Sequence, residues 1–210
     1  MVATAARRVK KLDNVSLGLN VELEKNVTLG EPTGRQIADL LLVVGDNAII
    51  RSGTVIYVGA KIGSGLRTGH NVVIREQNVI GDGLQIWSNS IIDYGCHIGN
   101  HVKIHCNCYV AQYTVIEDDC FLAPGVIISN DMYPGSMFPD APLVGPTIKR
   151  GAQIGCNCTI RPGVVIGEYS LIGAGSMVTK DIPPRSLAYG NPARVVKTVD
   201  DVVEEVFKNR

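Results

Sequence analysis

Aromatic side chains are scarce: one Trp, three Phe and seven Tyr among 210 residues. The apolar content is instead Ile and Val, with 23 glycines, which favours short strands broken by tight turns. No apolar run approaches the roughly 18–20 residues that a membrane span requires. Charge of one sign is also missing. Twenty Lys and Arg balance twenty Asp and Glu, which removes the basic excess of a nucleic-acid binder and leaves no acidic tail. The segment Met1 to Lys11 is basic, but no apolar stretch follows it, so it does not read as a secretory signal. Six cysteines without such a signal are expected as free thiols in a reducing compartment, by default the cytoplasm.

What the chain has is a period of six. Stepping from Val44 gives Ile50, Ile56, Ile62, Thr68, Ile74, Ile80, Ile86, Ile92, Ile98, Ile104, Val110, Ile116, Leu122 and Ile128, and only Thr68 is not aliphatic. A second run passes through Ile148, Ile154, Ile160, Ile166, Ile172 and Val178, and a short first one through Val15, Val21 and Val27. Neither a helix of period 3.6 nor an amphipathic strand keeps a strict six over this distance. Four residues after each aliphatic position the side chain is small or medium, as at Ala48, Thr54, Ala60, Val72, Ser90, Cys96, Val102, Cys108, Thr114, Cys120 and Val126. Each hexad therefore predicts one short strand and one turn, with the aliphatic and the small residue both inward. A hexad cannot bury its inner face alone, so hexads must coil and stack.

The period breaks at about 31–42 and 129–147. The second break, rich in proline with Met and aromatic residues, predicts a projecting loop that walls a site, because long loops in compact repeats usually carry function. After Val178 the prolines of TKDIPPRSLAYGNPARVVK end the repeat. The tail, 198–210, places Val199, Val202, Val203 and Val206 at helical spacing, predicting a short helix over the open end of a domain spanning 1–197.

Cys106 and Cys108, and again Cys156 and Cys158, form Cys-Asn-Cys triplets. Cys108 and Cys158 fall on the inward small position with Cys96 and Cys120, whereas Cys106 and Cys156 face the other way, so no metal is expected. Among the histidines His70, His97, His101 and His105, the last has neighbours of interest. Residues 18 apart should stack on successive coils, which places Trp87 one coil before His105 and Ala123 one coil after. The same step aligns Asn71, Asn89 and Asn107, either as a functional face or as a structural asparagine ladder.

The hexads resemble the left-handed parallel β-helix of the hexapeptide acyltransferase superfamily, with three hexads per triangular coil, over roughly residues 12–197. The resemblance implies an all-β prism of eight or so coils, on the order of 40 Å long at about 4.8 Å per coil. Sugar and antibiotic O-acetyltransferases of the superfamily commonly carry a histidine base in a coil like I-G-x-H-V-x-I. Here that coil is Ile154-Gly155-Cys156-Asn157-Cys158-Thr159-Ile160, with Asn157 in the histidine place. The stretches Val102 to Cys108, Ile116 to Pro124 and Ser129-Asn130-Asp131 look instead like those of nucleotide-linked amino-sugar N-acetyltransferases.

That likeness implies acetyl-CoA as co-substrate, a nucleotide-sugar acceptor and a homotrimer. The column and the likeness together make His105, Asn107 and Asp131 the catalytic candidates, Asn107 to orient the amine and His105 or Asp131 to accept a proton directly or through water, with Trp87, Asn89 and Tyr133 as acceptor contacts. The ending Gly173 to Val196 is typical of the superfamily. From Gly145 to Lys197 seven basic residues face two acids, which suits the phosphates of CoA. Asn157, Gly173, Ala174, Lys180, Arg185 and Arg194 are the residues expected to hold it. O-acetylation of a sugar or serine-like acceptor, a carbonic anhydrase-like zinc β-helix and a non-catalytic scaffold are the alternatives.

Overall fold

The computed structural model describes residues 14–135, 138 and 140–208. The basic segment Met1 to Lys11 and the Val206 side chain lie outside the described residues. From Val44 on, the aliphatic positions of the six-residue series lie in short strands, as in Ile91–Ile92, His97–Ile98 and Lys103–Ile104. In the first coil Leu17, Leu23 and Leu29, not Val15, Val21 and Val27, stand in register with Val44, Ile50 and Ile56. The strands stack into three sheets, the faces of a left-handed parallel β-helix. The first face starts at Val15–Leu17 and the third at Thr28–Glu31, with eight strands each. The second starts at Glu22–Leu23 and has ten. Partners stand 18 residues apart, as in Val79↔His97, Gln85↔Lys103 and Ile91↔Tyr109. Backbone bonds therefore run along the prism axis: the Trp87 N–H donates to the Ile104 carbonyl at 2.8 Å, and that of His105 to Leu122 at 2.8 Å.

The inward column is fully buried from Val44 to Val178, each large aliphatic contributing roughly 1.5–3 kcal/mol by leaving water. Thr68 is buried too. Its hydroxyl accepts the Arg51 N–H at 2.9 Å and lies 3.3 Å from the Thr54 hydroxyl, so the polar exception is satisfied in place.

Corners explain the asparagines. Each turns the chain through a residue of positive φ, and the edge between the second and third faces does so at Asn26, Asn71, Asn89, Asn107 and Asn157, with Gly53, Gly125 and Gly175 in the same column. Asparagine tolerates this left-handed conformation better than other non-glycine residues. Asn107 and Asn157 thus hold structural positions whatever else they do.

Both interruptions leave the third face and return to the first, so they project from one edge. Val15 pairs with Leu42, 27 positions on rather than 18, which makes the first excursion nine residues. Val115 pairs with Thr147, 32 positions on, which makes the second fourteen.

The open end differs from expectation. After the repeat, Ser186–Gly190 extends the second face in parallel and Ala193–Thr198 pairs antiparallel with it, turning at a cis Asn191–Pro192 bond. This hairpin caps the prism. The helix Val199–Lys208 rests on the hairpin rather than over the core, tied by Arg185 to Asp200 and by Lys197 to Glu205, and Val203 remains 48% exposed. No described helix is long and apolar enough to cross a membrane.

If the asparagine column exists for its backbone conformation, Asn89→Gly should leave stability within about 0.5 kcal/mol of the parent, whereas Asn89→Ala should lose about 1 kcal/mol. Urea denaturation midpoints of the two variants check this.

Candidate active site

The edge between the second and third faces gathers most of the residues singled out in the sequence. Trp87 and His105 stack with ring centroids 4.8 Å apart and planes 4° from parallel, and Phe121 meets His105 edge-on at 6.3 Å. The eighteen-residue step placed this column correctly. Asn89 and Asn107 turn the same corner, followed along the edge by Asn157, Gly173 and Ala174. His105 Nδ1 accepts the Cys106 N–H at 3.0 Å. The neutral ring therefore carries its hydrogen on Nε2, and its outer nitrogen donates rather than accepts.

Asp131 and Tyr133 stand elsewhere. They follow the third-face strand Ile127–Ile128, on the edge from which both excursions project. The structure does not bring them to His105 and Asn107 within one chain, because the whole third face intervenes. Asp131 accepts the Tyr133 N–H at 2.8 Å and shapes the start of the excursion, where Tyr133 packs its ring on Phe138 at 5.0 Å.

That second edge holds a polar cluster which reading the sequence missed. Glu76 is fully buried and accepts from Arg75, from Thr33 at 2.9 Å and from Arg35, so the first excursion is pinned to it. Burial alone would raise the Glu76 pKa, but the bonds from Arg75, its own backbone N–H and Thr33 outweigh it and hold the carboxyl below its usual range. Arg35 lies over the Tyr94 ring at 3.5 Å. Asp93 accepts from the Tyr109 hydroxyl at 2.8 Å and from Gln112, and Gln112 in turn accepts from Asn130. Burial, then the Asp93 contact, pushes the Tyr109 phenol up to about 12, so it stays a donor. The signal was available: steps of eighteen from Glu76 reach Tyr94, Gln112 and Asn130.

The residues expected to hold CoA are spread over the prism. Asn157, Gly173 and Ala174 share the His105 edge, Lys180 lies on the excursion edge, and Arg185 turns the third edge with φ 53°. Arg185 is committed to Asp200, and Lys149, Arg150 and Lys197 pair with Glu117, Asp118 and Glu205. Arg161 turns its Nε to the Met132 sulfur. The basic bias of this region is therefore mostly neutralised locally, and of the expected CoA contacts only Lys180 and Arg194 carry a charge without a carboxylate partner among the described residues. Gly173 has a packing reason of its own, since a Cβ there would sit 2.7 Å from that of Tyr189 on the hairpin. One groove of the single chain lies beside His101, Lys103, Asp119, Phe121 and Gln153, and another between Val79, His97, Val115 and Asp118; neither is lined by Trp87 or His105. The four histidines occupy different columns, and no cluster of three metal-ligating side chains occurs among the described residues.

Cys96, Cys108, Cys120 and Cys158 are buried, while Cys106 is partly and Cys156 fully accessible. Burial pushes the Cys96 and Cys120 thiols up to about 12. At pH 8 a thiol reagent should therefore modify Cys106 and Cys156 rapidly and the other four only on unfolding, as mass spectrometry of the labelled peptides would report.

Comparison with known proteins agrees with this architecture. The bacterial transferase hexapeptide (six repeats) model matches residues 95–130 and 145–180. No curated protein matches in sequence. A UDP-N-acetylglucosamine acyltransferase from Bacteroides fragilis superposes with a TM-score of 0.67, at 20% identity, over 92% of this chain and 74% of its own. An acetyltransferase from Vibrio cholerae O1 biovar eltor, in complex with acetyl coenzyme A, is 28% identical over 50% of this chain, with a TM-score of 0.44. This chain spans 60% of the length of that protein. An N-acyltransferase from Bacillus cereus, in complex with dTDP and coenzyme A, is 20% identical over 92% of this chain and 91% of its own, with a TM-score of 0.41. The repeat, the coiled parallel sheets, the hexapeptide model over 95–130 and 145–180 and the Bacteroides fragilis superposition together make the fold a left-handed parallel β-helix of hexapeptide repeats.

Proposed function

We propose that this protein transfers an acetyl group from acetyl-CoA to the amine of a nucleotide-linked amino sugar. The observation that carries the choice of an amine is the state of His105. With Nδ1 occupied by the Cys106 N–H, the neutral ring offers a donor and no base, and Asn157 stands where O-acetyltransferases carry histidine. A hydroxyl acceptor needs a strong base, whereas an amine that has lost its proton to solvent attacks unaided. The amine nitrogen forms a bond to the thioester carbonyl carbon, and the tetrahedral intermediate expels the CoA thiolate. One of the two protons on that nitrogen leaves to the thiolate or to water, and the amide keeps the other. The outer N–H of His105 is suited to the oxyanion of that intermediate, and the Asn107 carbonyl to the incoming amine. No cysteine enters the chemistry.

The separation of His105 and Asn107 from Asp131 and Tyr133 supports a site shared between subunits. The third face between them carries an outer stripe of Val55, Val73, Ile91, Tyr109, Ile127, Thr159 and Met177, apolar but for Thr159, which suits a buried contact between copies. The proposed assembly is a homotrimer. Lys180 and Arg194, without a carboxylate partner among the described residues, are the proposed phosphate contacts, and Arg185 would have to leave Asp200 to join them.

Three outcomes test this reading. Free-thiol release from acetyl-CoA should appear with amino-sugar nucleotides and not with their hydroxyl counterparts, and the reverse preference would move the chain to the O-acetyltransferases. His105→Ala should lower kcat by about 10²-fold while His105→Gln, which keeps a donor, retains most of the rate. Light scattering should give three times the 22.5 kDa chain mass, and a stable monomer would remove the shared site.

A further inference from the structure

The second excursion is tied to the prism by a chain of hydrogen bonds that can run in only one direction. Asp93 starts it. Its carboxylate is 6% exposed and receives the Tyr94 N–H at 2.8 Å, the Tyr109 hydroxyl at 2.8 Å and the Arg75 guanidinium at 3.6 Å. An ionised carboxylate only accepts, so Gln112 must turn its NH2 toward Asp93. Its carbonyl oxygen then faces outward and accepts the NH2 of Asn130. Asn130 is 8% exposed, and its backbone carbonyl accepts the Val144 N–H at 2.8 Å, closing the base of the excursion. Two amides that could each point either way are thus oriented by one charge. The Asn130 Oδ1 atom is left over, without a partner among the described residues. No fully buried side-chain oxygen or nitrogen among them lacks one, so this oxygen is at the surface.

We infer that Asn130 is an acceptor-positioning residue, whose Oδ1 takes an N–H of the acceptor's amine, and that the Arg75–Asp93–Gln112–Asn130 chain holds both that oxygen and the excursion in place. This rests on the amine-acceptor reading above and extends it. An amide fixed from behind, with its one open acceptor at the surface, is preorganised for a donor, and an amine supplies one. Asp131 gives one carboxylate oxygen to the Tyr133 N–H and so forms the turn at the start of the excursion.

The chain predicts a polarity rescue. Asn130→Asp leaves no donor for the Gln112 carbonyl. Asp93→Asn combined with Asn130→Asp reverses the bonds through Tyr109, Gln112 and position 130, while Oδ1 at position 93 keeps the Tyr94 N–H. The new carboxylate at position 130 would accept from Gln112, whose carbonyl would accept from the new amide at position 93, while Tyr109 accepts where it donated. Amide hydrogen exchange at Val144 in the full chain should speed up about tenfold or more in Asn130→Asp and return to within about threefold of the parent in the double variant. Should Asn130→Asp fail to fold, recovery of a folded protein in the double variant reads the same rescue. A double variant that exchanges as fast as the single one, or does not fold, overturns the directional chain.

Steady-state kinetics test the substrate contact. Asn130→Ala should raise KM for the amine acceptor about tenfold and leave that for acetyl-CoA within about twofold. Equal loss in both, or a pure fall in kcat, overturns the positioning assignment. If the parent protein releases no thiol with any amine acceptor, the amine reading itself fails, and the exchange experiment still judges the chain.

Discussion

Everything in this molecule depends on closing a triangular coil in eighteen residues. Because parallel partners must meet in register one coil later, each inward aliphatic is stacked on another, and any shift by one residue would turn the column out to water. Extra residues are tolerated only where they leave and rejoin the same corner. Both excursions obey this, adding nine and fourteen residues at one edge while the registers of the three faces resume unchanged.

The same constraint separates functions by edge. One edge stacks Trp87 on His105 and carries the asparagine corners, and the next carries both excursions with the buried Glu76 and Asp93 between them. A single prism cannot fold one edge onto the other, since its faces are rigid hydrogen-bonded sheets. The proposed site between copies would join the aromatic wall to the projecting loop without breaking the coil. Glu117 and Asp118 receive Lys149 and Arg150 as the chain re-enters the repeat.

Most of the fold was legible because it is periodic. The six-residue series located nearly every strand, and the eighteen-residue step put Trp87 on His105. The capping hairpin was not legible, because Ser186–Gly190 and Ala193–Thr198 follow no hexad and were read only as the end of a repeat. The site was legible in part. Column arithmetic works within one edge and says nothing about which edge a loop leaves from, so Asp131 was grouped with His105. Charge counting along the sequence also misled at Arg185, where the compensating Asp200 sits just beyond the counted window and folds back onto it. Gln112 and Asn130 share the eighteen-residue series of Glu76 and Tyr94, but Asp93 lies in the adjacent column, which hid the link between them.

The central claim is that one site is built from the His105 edge of one copy and the excursion of another. Mixing two impaired variants tests it most directly. His105→Ala and Asn130→Ala chains, each folded and each slow when the acceptor is held well below KM, should regain activity when co-assembled. The mixture should approach about one quarter of the parent rate if subunits mix randomly and each site draws on two neighbours. Mixed assemblies confirmed by mass that stay at the average of the separate variants would contradict the account and place the whole site within a single chain.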